Sequence, residues 1–129
     1  MSKNDTQEKL RELSHSLAKI HKSLLNFQKE IHERLDEKRL SPYDLLHLSL
    51  NDPDFDWLRK LSRLMVIIDD GADQEEADQS SAALHEAKKE LRSLFIEDGK
   101  HEDFKNRVER ASIKHPEICL QLADLKKRI

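Results

Sequence analysis

The fold is decided by residues Ser41–Asp70, which read SPYDLLHLSLNDPDFDWLRKLSRLMVIIDD. This segment contains two helix starts, Ser41-Pro42 and Asp52-Pro53. A Ser or Asp side chain accepts a hydrogen bond from an unpaired backbone N–H at a helix start, and Pro at the first helical position has no N–H that needs a partner. The first start predicts a short helix through about Leu50. Four leucines make this helix an apolar crosspiece of the fold: Leu45, Leu46, Leu48 and Leu50.

The second start, at Asp52, predicts a longer helix with one strongly apolar face. At 100° per residue, six apolar side chains fall within an arc of about 120°, and this face must be buried. Its members are Trp57, Leu58, Leu61, Leu64, Met65 and Ile68. Gly71 follows them and is predicted to close the helix in the left-handed conformation that glycine adopts readily.

Upstream, from about Asp5 to Arg39, apolar residues recur every three or four positions, which predicts one long amphipathic helix. They are Leu10, Leu13, Leu17, Ile20, Leu24, Phe27, Ile31 and Leu35. Roughly 34 helical residues span about 50 Å, whereas a compact chain of this length has a radius of gyration of about 14 Å. An elongated bundle, frayed first turns or a second copy covering the stripe would each resolve this mismatch. We expect a homodimer formed through this helix.

Downstream, Asp73 and Glu76 have the spacing of a capping box and predict the start of a fourth helix that stops before Gly99. A fifth helix is predicted over about Glu102–Lys114. His115-Pro116-Glu117 starts a last one, and these two short helices form one broken arm. Short connections between the helices favour antiparallel neighbours.

Composition supports a helical fold. The 129 residues are 38% charged and 5% aromatic and include two Gly, a balance that favours helices over sheets. We predict an all-α fold: a single domain over residues 1–129, built as an antiparallel helical bundle of four main helical segments plus the short crosspiece helix. The single cysteine, Cys119, excludes an internal disulfide framework and is predicted to be a small apolar side chain in a reducing compartment.

Charge and hydropathy exclude several partner classes. The net charge of −3 provides no general attraction to nucleic acid or to anionic lipid. No apolar run approaches the roughly 20 residues of a membrane span, and the amino terminus lacks the pattern of a secretory signal. We therefore predict a cytoplasmic protein that binds neither nucleic acid nor membranes.

No motif specifies a reaction, a metal or a cofactor. The seven histidines fit no ligand spacing: the segment 32–36 has Asp36 where a zinc-protease helix needs its second His, and Glu12-x-x-His15 is a single copy of a motif that di-iron bundles need twice. Two glycines cannot build a phosphate-binding loop of the usual kind. We predict no catalytic residue, no metal and no cofactor. The sequence therefore favours an interaction protein over an enzyme.

His15 supports an alternative function. Leu13–Lys19 resembles the motif of histidine phosphotransfer domains, helical bundles in which one exposed His accepts a phosphoryl group. In that family a basic residue and then a Gly follow the His at three and four positions, where this chain has Ala18 and Lys19. The resemblance implies a phosphotransfer or other catalytic bundle centred on His15, with Lys19 beside it.

An acidic cluster over residues 69–78 offers a partner-binding surface. Helix starts favour acids by about 0.3 to 1 kcal/mol each, which accounts for those predicted in the first turn of the fourth helix. Asp69 and Asp70 end a helix, where the helix dipole disfavours them, so a partner would explain them better. On the polar side of the same helix, Arg59 and Arg63 are further candidates, although Arg59 also fits a contact with the neighbouring short helix.

The stretches Ser41–Leu46 (SPYDLL) and Asp52–Arg59 (DPDFDWLR) resemble a family of small uncharacterised bacterial helical proteins. Its pattern is Ser-Pro-x-x-Leu-Leu followed by Asp-Pro-x-Phe-x-Trp-Leu-Arg. Members often have a small residue at Asp56 and Pro at Lys60, where this chain departs from the pattern. The resemblance implies a helical, cytoplasmic bacterial protein and adds no site residue, because no activity is established for the family.

Overall fold

The computed structural model describes the backbone of residues 3–129 and the side chains of residues 5–129. Within this part of the chain there are helices and no strand, so the all-α prediction is confirmed. The helices are α1 (Lys3–Asp36), α2 (Pro42–Asn51), a 3-10 helix (Pro53–Phe55), α3 (Asp56–Ala72), α4 (Ala77–Phe95), α5 (Glu102–Lys114) and α6 (Glu117–Arg128). The bounds of α5 are those predicted, and α6 begins at the expected His-Pro-Glu segment.

Helix α1 is the centre of the fold and packs against α3, α4 and α6. Its stripe is buried over six successive positions: Leu10, Leu13, Leu17, Ile20, Leu24 and Phe27. Ile31 is partly buried against the core. Leu35 was predicted to continue the stripe, but it is 75% exposed because it lies in the last turn of α1, beyond the packed part of the helix.

The length of α1 therefore does not require a second copy of the chain. Three helices of the same chain cover its stripe from Leu10 to Phe27, which leaves Leu35 as the large apolar side chain that α1 exposes. This burial weakens the reason for placing a dimer contact on the first helix, because the excess apolar surface there is small.

Helix α2 begins as predicted. The Ser41 hydroxyl accepts a hydrogen bond from the Asp44 N–H at 3.1 Å, and the Asp44 carboxylate accepts one from the Ser41 N–H at 3.2 Å, which completes a capping box. The helix lies on α3 and the 3-10 helix. Leu45 and Leu48 pack against the core. No residue of α2 is fully buried, and two of the four leucines predicted to make it an apolar crosspiece, Leu46 and Leu50, are exposed.

The second predicted start is partly wrong. Asp52 does cap a helix, since its Oδ1 accepts a hydrogen bond from the Asp54 N–H at 2.8 Å, but that helix is the single 3-10 turn. Helix α3 starts at Asp56, after this turn. Its predicted apolar face is buried apart from Met65, which is half-buried. Trp57 is a core residue, and its Nε1–H donates to the buried Gln28 Oε1 at 3.1 Å.

Gly71 does not end α3 in a left-handed conformation; it lies inside the helix and is buried. A Cβ at this position would come within 2.5 Å of the Ala83 Cβ, so glycine is needed because α3 and α4 approach each other closely. The buried Ser80 hydroxyl donates to the Gly71 carbonyl at 2.9 Å and fastens the same contact. In the described chain, the glycine with positive φ is Gly99, at 91°.

The predicted capping box at Asp73 and Glu76 is not formed. Asp73 ends α3, because its N–H donates to the carbonyls of Asp69 and Asp70 at 3.3 and 3.2 Å. Helix α4 starts later, at Ala77, and Glu76 makes no side-chain cap. Once α3 continues through Gly71, too few residues remain for Asp73 to begin another helix.

The core joins residues of five α-helices and Phe55 of the 3-10 helix into one cluster. Helices α4, α5 and α6 contribute apolar side chains to it, among them Leu91, Phe104 and Leu125. Cys119 does not belong to this cluster: it is exposed, so the small apolar side chain predicted at this position does not pack in the core. The apolar positions of α6 that face the core, Ile118 and Leu125, are seven residues apart and leave Cys119 on another side.

Candidate functional site

The Arg59 guanidinium binds groups of its own chain. Its Nε donates to the Ser49 carbonyl at 3.0 Å and its Nη2 to the Asp52 carbonyl at 2.6 Å, and its guanidinium also pairs with Asp56. These carbonyls lie at the end of α2, where a helix leaves carbonyls without partners. Arg59 therefore fastens α2 to α3, whereas Arg63, one turn further along α3, is exposed.

The two acids predicted to bind a partner lie at the other end of α3. Asp69 is exposed and accepts a hydrogen bond from the Ser14 hydroxyl of α1 at 2.6 Å. Asp70 is also exposed. Ten helical residues separate Arg59 from Asp69, a rise of about 15 Å. The four predicted partner-binding residues therefore do not form one compact site.

His15 and Lys19 are both exposed on α1, one turn apart. His15 lines a shallow surface depression together with Glu8, Arg11 and Glu12. Arg11 and Lys19 stand one turn before and after the imidazole, so two cations lie along its face of the helix. The two glutamates offset this positive charge, and the imidazole faces solvent instead of a deep cleft.

An exposed apolar face on α2 is the largest difference between the leucine pattern and the structure. Tyr43, Leu46 and Leu50 are 69%, 56% and 63% exposed. At 100° per residue these three positions fall within about 60° of arc on the helix. His47 lies on the same side, and its ring meets that of Tyr43 edge-on at 4.5 Å between centroids. Leu45 and Leu48 point to the opposite side, toward the core.

The sequence shows that α2 is rich in leucine, but it does not show which leucines face the core and which face water. A run in which four of six residues are leucine spreads apolar side chains over more than half of the helix circumference, and the packing of α2 decides which of them stay in water. The signal available was the width of this apolar sector, which exceeds the single stripe that a surface helix buries against a core.

A second cluster combines one imidazole with two carboxylates. Ligand atoms of His32, Asp52 and Asp54 all lie within 4.8 Å of one another. His32 is on α1, while the two acids flank the start of the 3-10 helix. Spacing along the chain could not reveal this cluster, because twenty residues separate His32 from Asp52 and the fold brings them together.

Burial and hydrogen bonds change three titrations. Burial lowers the pKa of His21 on α1, whose Nε2 lies 3.1 Å from the Ser62 hydroxyl. Hydrogen bonds from Ser41 lower the pKa of the Asp44 carboxyl. A hydrogen bond from the Ser16 hydroxyl, followed by one from Arg128, lowers the pKa of Asp124. All three groups are held by contacts within the fold.

No helix in residues 3–129 has both the length and the apolar character needed to cross a membrane. No family model, no curated protein and no solved structure matches the chain. Its function is therefore inferred from its own residues, and the two features that stand out are the apolar face of α2 and the His32 cluster.

Proposed function

We propose that this protein is a non-catalytic interaction module that forms a homodimer through the exposed face of α2. The observation that supports the proposal is the exposure of Tyr43, Leu46 and Leu50 on one side of a single helix. These three side chains are contiguous, whereas scattered single exposed apolar residues are ordinary. The proposal moves the dimer contact from the first helix to the second.

A second copy is the occupant that fits this face best. The face bears no Asp, Glu, Lys or Arg side chain among its three exposed residues, so it offers no charge for an oppositely charged partner. A two-fold axis near Leu46 would place that leucine against Leu46 of the other copy, and Tyr43 against Leu50 of the other copy. Each apolar side chain then meets another, as a self-complementary two-fold contact requires.

The size of the face predicts weak association. Three exposed side chains of this kind provide on the order of 300 Å² per copy, whereas a stable interface buries about 800 Å² per partner. We therefore expect an equilibrium between monomer and dimer that depends strongly on concentration.

We also propose that the helices are antiparallel neighbours in one bundle. The α3–α4 connection, residues 73–76, and the α5–α6 connection, residues 115–116, are short, and short connections favour this arrangement. We also propose that the protein acts in the cytoplasm, because the chain has one cysteine and that cysteine is unpaired.

Cross-linking from a single cysteine tests where two copies meet. The native thiol is first removed by Cys119→Ser, and Leu46→Cys then places one thiol at the proposed two-fold axis. A short bismaleimide should join two copies readily through residue 46. The matched control is Leu120→Cys, since Leu120 is 76% exposed on α6, outside the proposed contact. Equal cross-linking at positions 46 and 120 would contradict the proposal.

Phosphoryl transfer on His15 is the second candidate function. It is favoured by the exposure of His15 between Arg11 and Lys19, since a phosphoryl donor can reach the imidazole beside these two cations, whose charge Glu8 and Glu12 partly offset. Incubation with phosphoramidate followed by intact-mass analysis tests it. A phosphoryl adduct that is absent from His15→Gln supports the candidate, and an unmodified chain or an adduct that survives the substitution excludes it.

A further inference from the structure

His32 on α1 meets two carboxylates of the connection between α2 and α3. Its Nε2 lies 3.3 Å from Oδ2 of Asp54, and the side chain is about nine-tenths buried, with 11% exposed. The imidazole ring rests on the ring of Phe55, with 5.1 Å between centroids and 33° between planes. Asp52 supplies the second carboxylate within 4.8 Å of the other two groups. The fold thus holds one imidazole in a fixed orientation beside two acids.

The Nε2 atom of His32 is the unusual part of this cluster. It is screened from water, and among the described residues it has no hydrogen-bond partner, because the nearby Asp54 oxygen lies outside hydrogen-bond geometry. Buried polar atoms are nearly always paired, and an unpaired one is costly. A cation lying between Nε2 and the two carboxylates would give this nitrogen a partner.

We infer that His32, Asp52 and Asp54 together bind one divalent transition-metal ion of the Zn²⁺ class. Imidazole nitrogen combined with carboxylate oxygen is a donor set that such ions accept, whereas Ca²⁺ and Mg²⁺ favour oxygen ligands alone. Two ligands of a tetrahedral zinc ion, each about 2.0 to 2.1 Å from the metal, lie about 3.3 Å apart. The separation of His32 and Asp54 has this value.

Each of the two aspartates has a carboxylate oxygen available as a metal ligand. Oδ1 of Asp52 accepts the Asp54 N–H, which leaves its second carboxylate oxygen for the ion. Asp54 is 65% exposed and can rotate to complete the ligand set. Three protein ligands leave a fourth position for water. The bound ion would join α1 to the residues that directly follow α2, so metal binding should stabilise the folded chain by mass action.

Calorimetric titration of the untagged, chelator-treated chain with ZnCl₂ at neutral pH tests the site. We expect one ion per chain, and a rise in Tm when Zn²⁺ is added. His32→Gln and Asp54→Asn should each weaken binding by about tenfold or more and abolish the rise in Tm. Asp54 is exposed, so Asp54→Asn should leave the fold intact. The matched controls are His85→Gln and Asp78→Asn, which replace an exposed histidine and an exposed acid of α4.

The outcomes separate a built site from ordinary surface histidines. Binding that is weakened by both cluster substitutions and kept by both controls supports the inference. Absence of one-to-one binding overturns it, as does binding that survives either His32→Gln or Asp54→Asn. In either of those cases His32 and Asp54 form an ion pair and nothing more.

Discussion

Gly71 sets how closely α3 and α4 pack. Alanine is the better helix former by about 1 kcal/mol, but its Cβ would lie 2.5 Å from the Ala83 Cβ. The clash should outweigh the propensity, because overpacking a tight contact costs about 1 to 3 kcal/mol. We therefore predict that Gly71→Ala lowers the free energy of unfolding, as measured by urea denaturation.

A double-mutant cycle separates this clash from other effects. Ala83→Gly removes the opposing methyl group and by itself should cost about 1 kcal/mol of helix propensity. The double variant Gly71→Ala/Ala83→Gly should lose less stability than the sum of the two single variants. Strictly additive losses would show that the contact between the two positions is not the reason for the glycine.

His21 should make the stability depend on pH near neutrality. Its pKa is lowered by burial, so below about 6.5 the unfolded chain binds a proton more readily than the folded chain does. This contribution is fully present above that pH and decreases as the pH falls, by at most about 1.4 kcal/mol per unit. Urea unfolding at pH 7.5 and 5.5 measures the decrease.

The matched variant is His21→Gln, which keeps a polar group near the Ser62 hydroxyl but cannot titrate. It should reduce the difference in stability between the two pH values. Asp44 and Asp124 do not contribute to the difference in stability between pH 7.5 and 5.5. Their lowered pKa values stabilise the fold above about 3.8, and that stability is lost only as the pH falls through the lower folded values. A pH dependence unchanged by His21→Gln would refute the assignment.

Sequence patterns predicted single residues well where burial alone decides their role. Trp57 and Ile68 lie in the core because their positions on α3 share one apolar face. Gly71 and Cys119 were misjudged for a different reason. The role of Gly71 depends on the distance to a neighbouring helix, which one sequence does not contain, whereas Cys119 lies away from the face of α6 that Ile118 and Leu125 turn to the core.

Between helices, Arg59 joins the end of α2 to α3. Charged hydrogen bonds to backbone carbonyls contribute about 1.5 to 3 kcal/mol each, but partial exposure reduces their effect. We predict that Arg59→Ala lowers the free energy of unfolding by about 1 to 3 kcal/mol. It should also speed hydrogen exchange in α2, because Ser49 and Asp52 lose their donor.

Arg63→Ala is the control for this prediction. Arg63 is exposed on the same helix, and a surface substitution of this kind changes stability by about 0.5 kcal/mol or less. If the two variants lose the same stability, or if exchange in α2 is unchanged in Arg59→Ala, the proposed role of Arg59 is wrong.

Helix ends were predicted where a local side chain controls them. Ser41 and Asp44 form their capping box with no help from distant residues, so the start of α2 could be derived from four letters of sequence. The start of α4 could not. It depends on how far α3 continues, and α3 continues through Gly71 because tertiary contact with α4 favours the helix there.

For the folded chain as a whole, the helical class followed from composition, but the location of the exposed apolar surface did not. Eight regularly spaced apolar residues on α1 suggested an apolar face longer than the rest of the chain could cover. In the structure α3, α4 and α6 cover that face, and α2 keeps the unpartnered one. The His32 cluster was equally out of reach, because its members come from separate elements.

Sedimentation equilibrium over a wide concentration range tests the central claim, that α2 presents an apolar face to a second copy. The average mass of the wild-type chain should rise from 15.2 kDa when dilute toward twice that value at high concentration. Leu46→Glu should remain a monomer throughout, because it would bury two like charges at the two-fold axis. Leu120→Glu should behave as wild type. A wild-type mass that stays at 15.2 kDa up to about millimolar concentration, or dimerisation unaffected by Leu46→Glu, would contradict the claim.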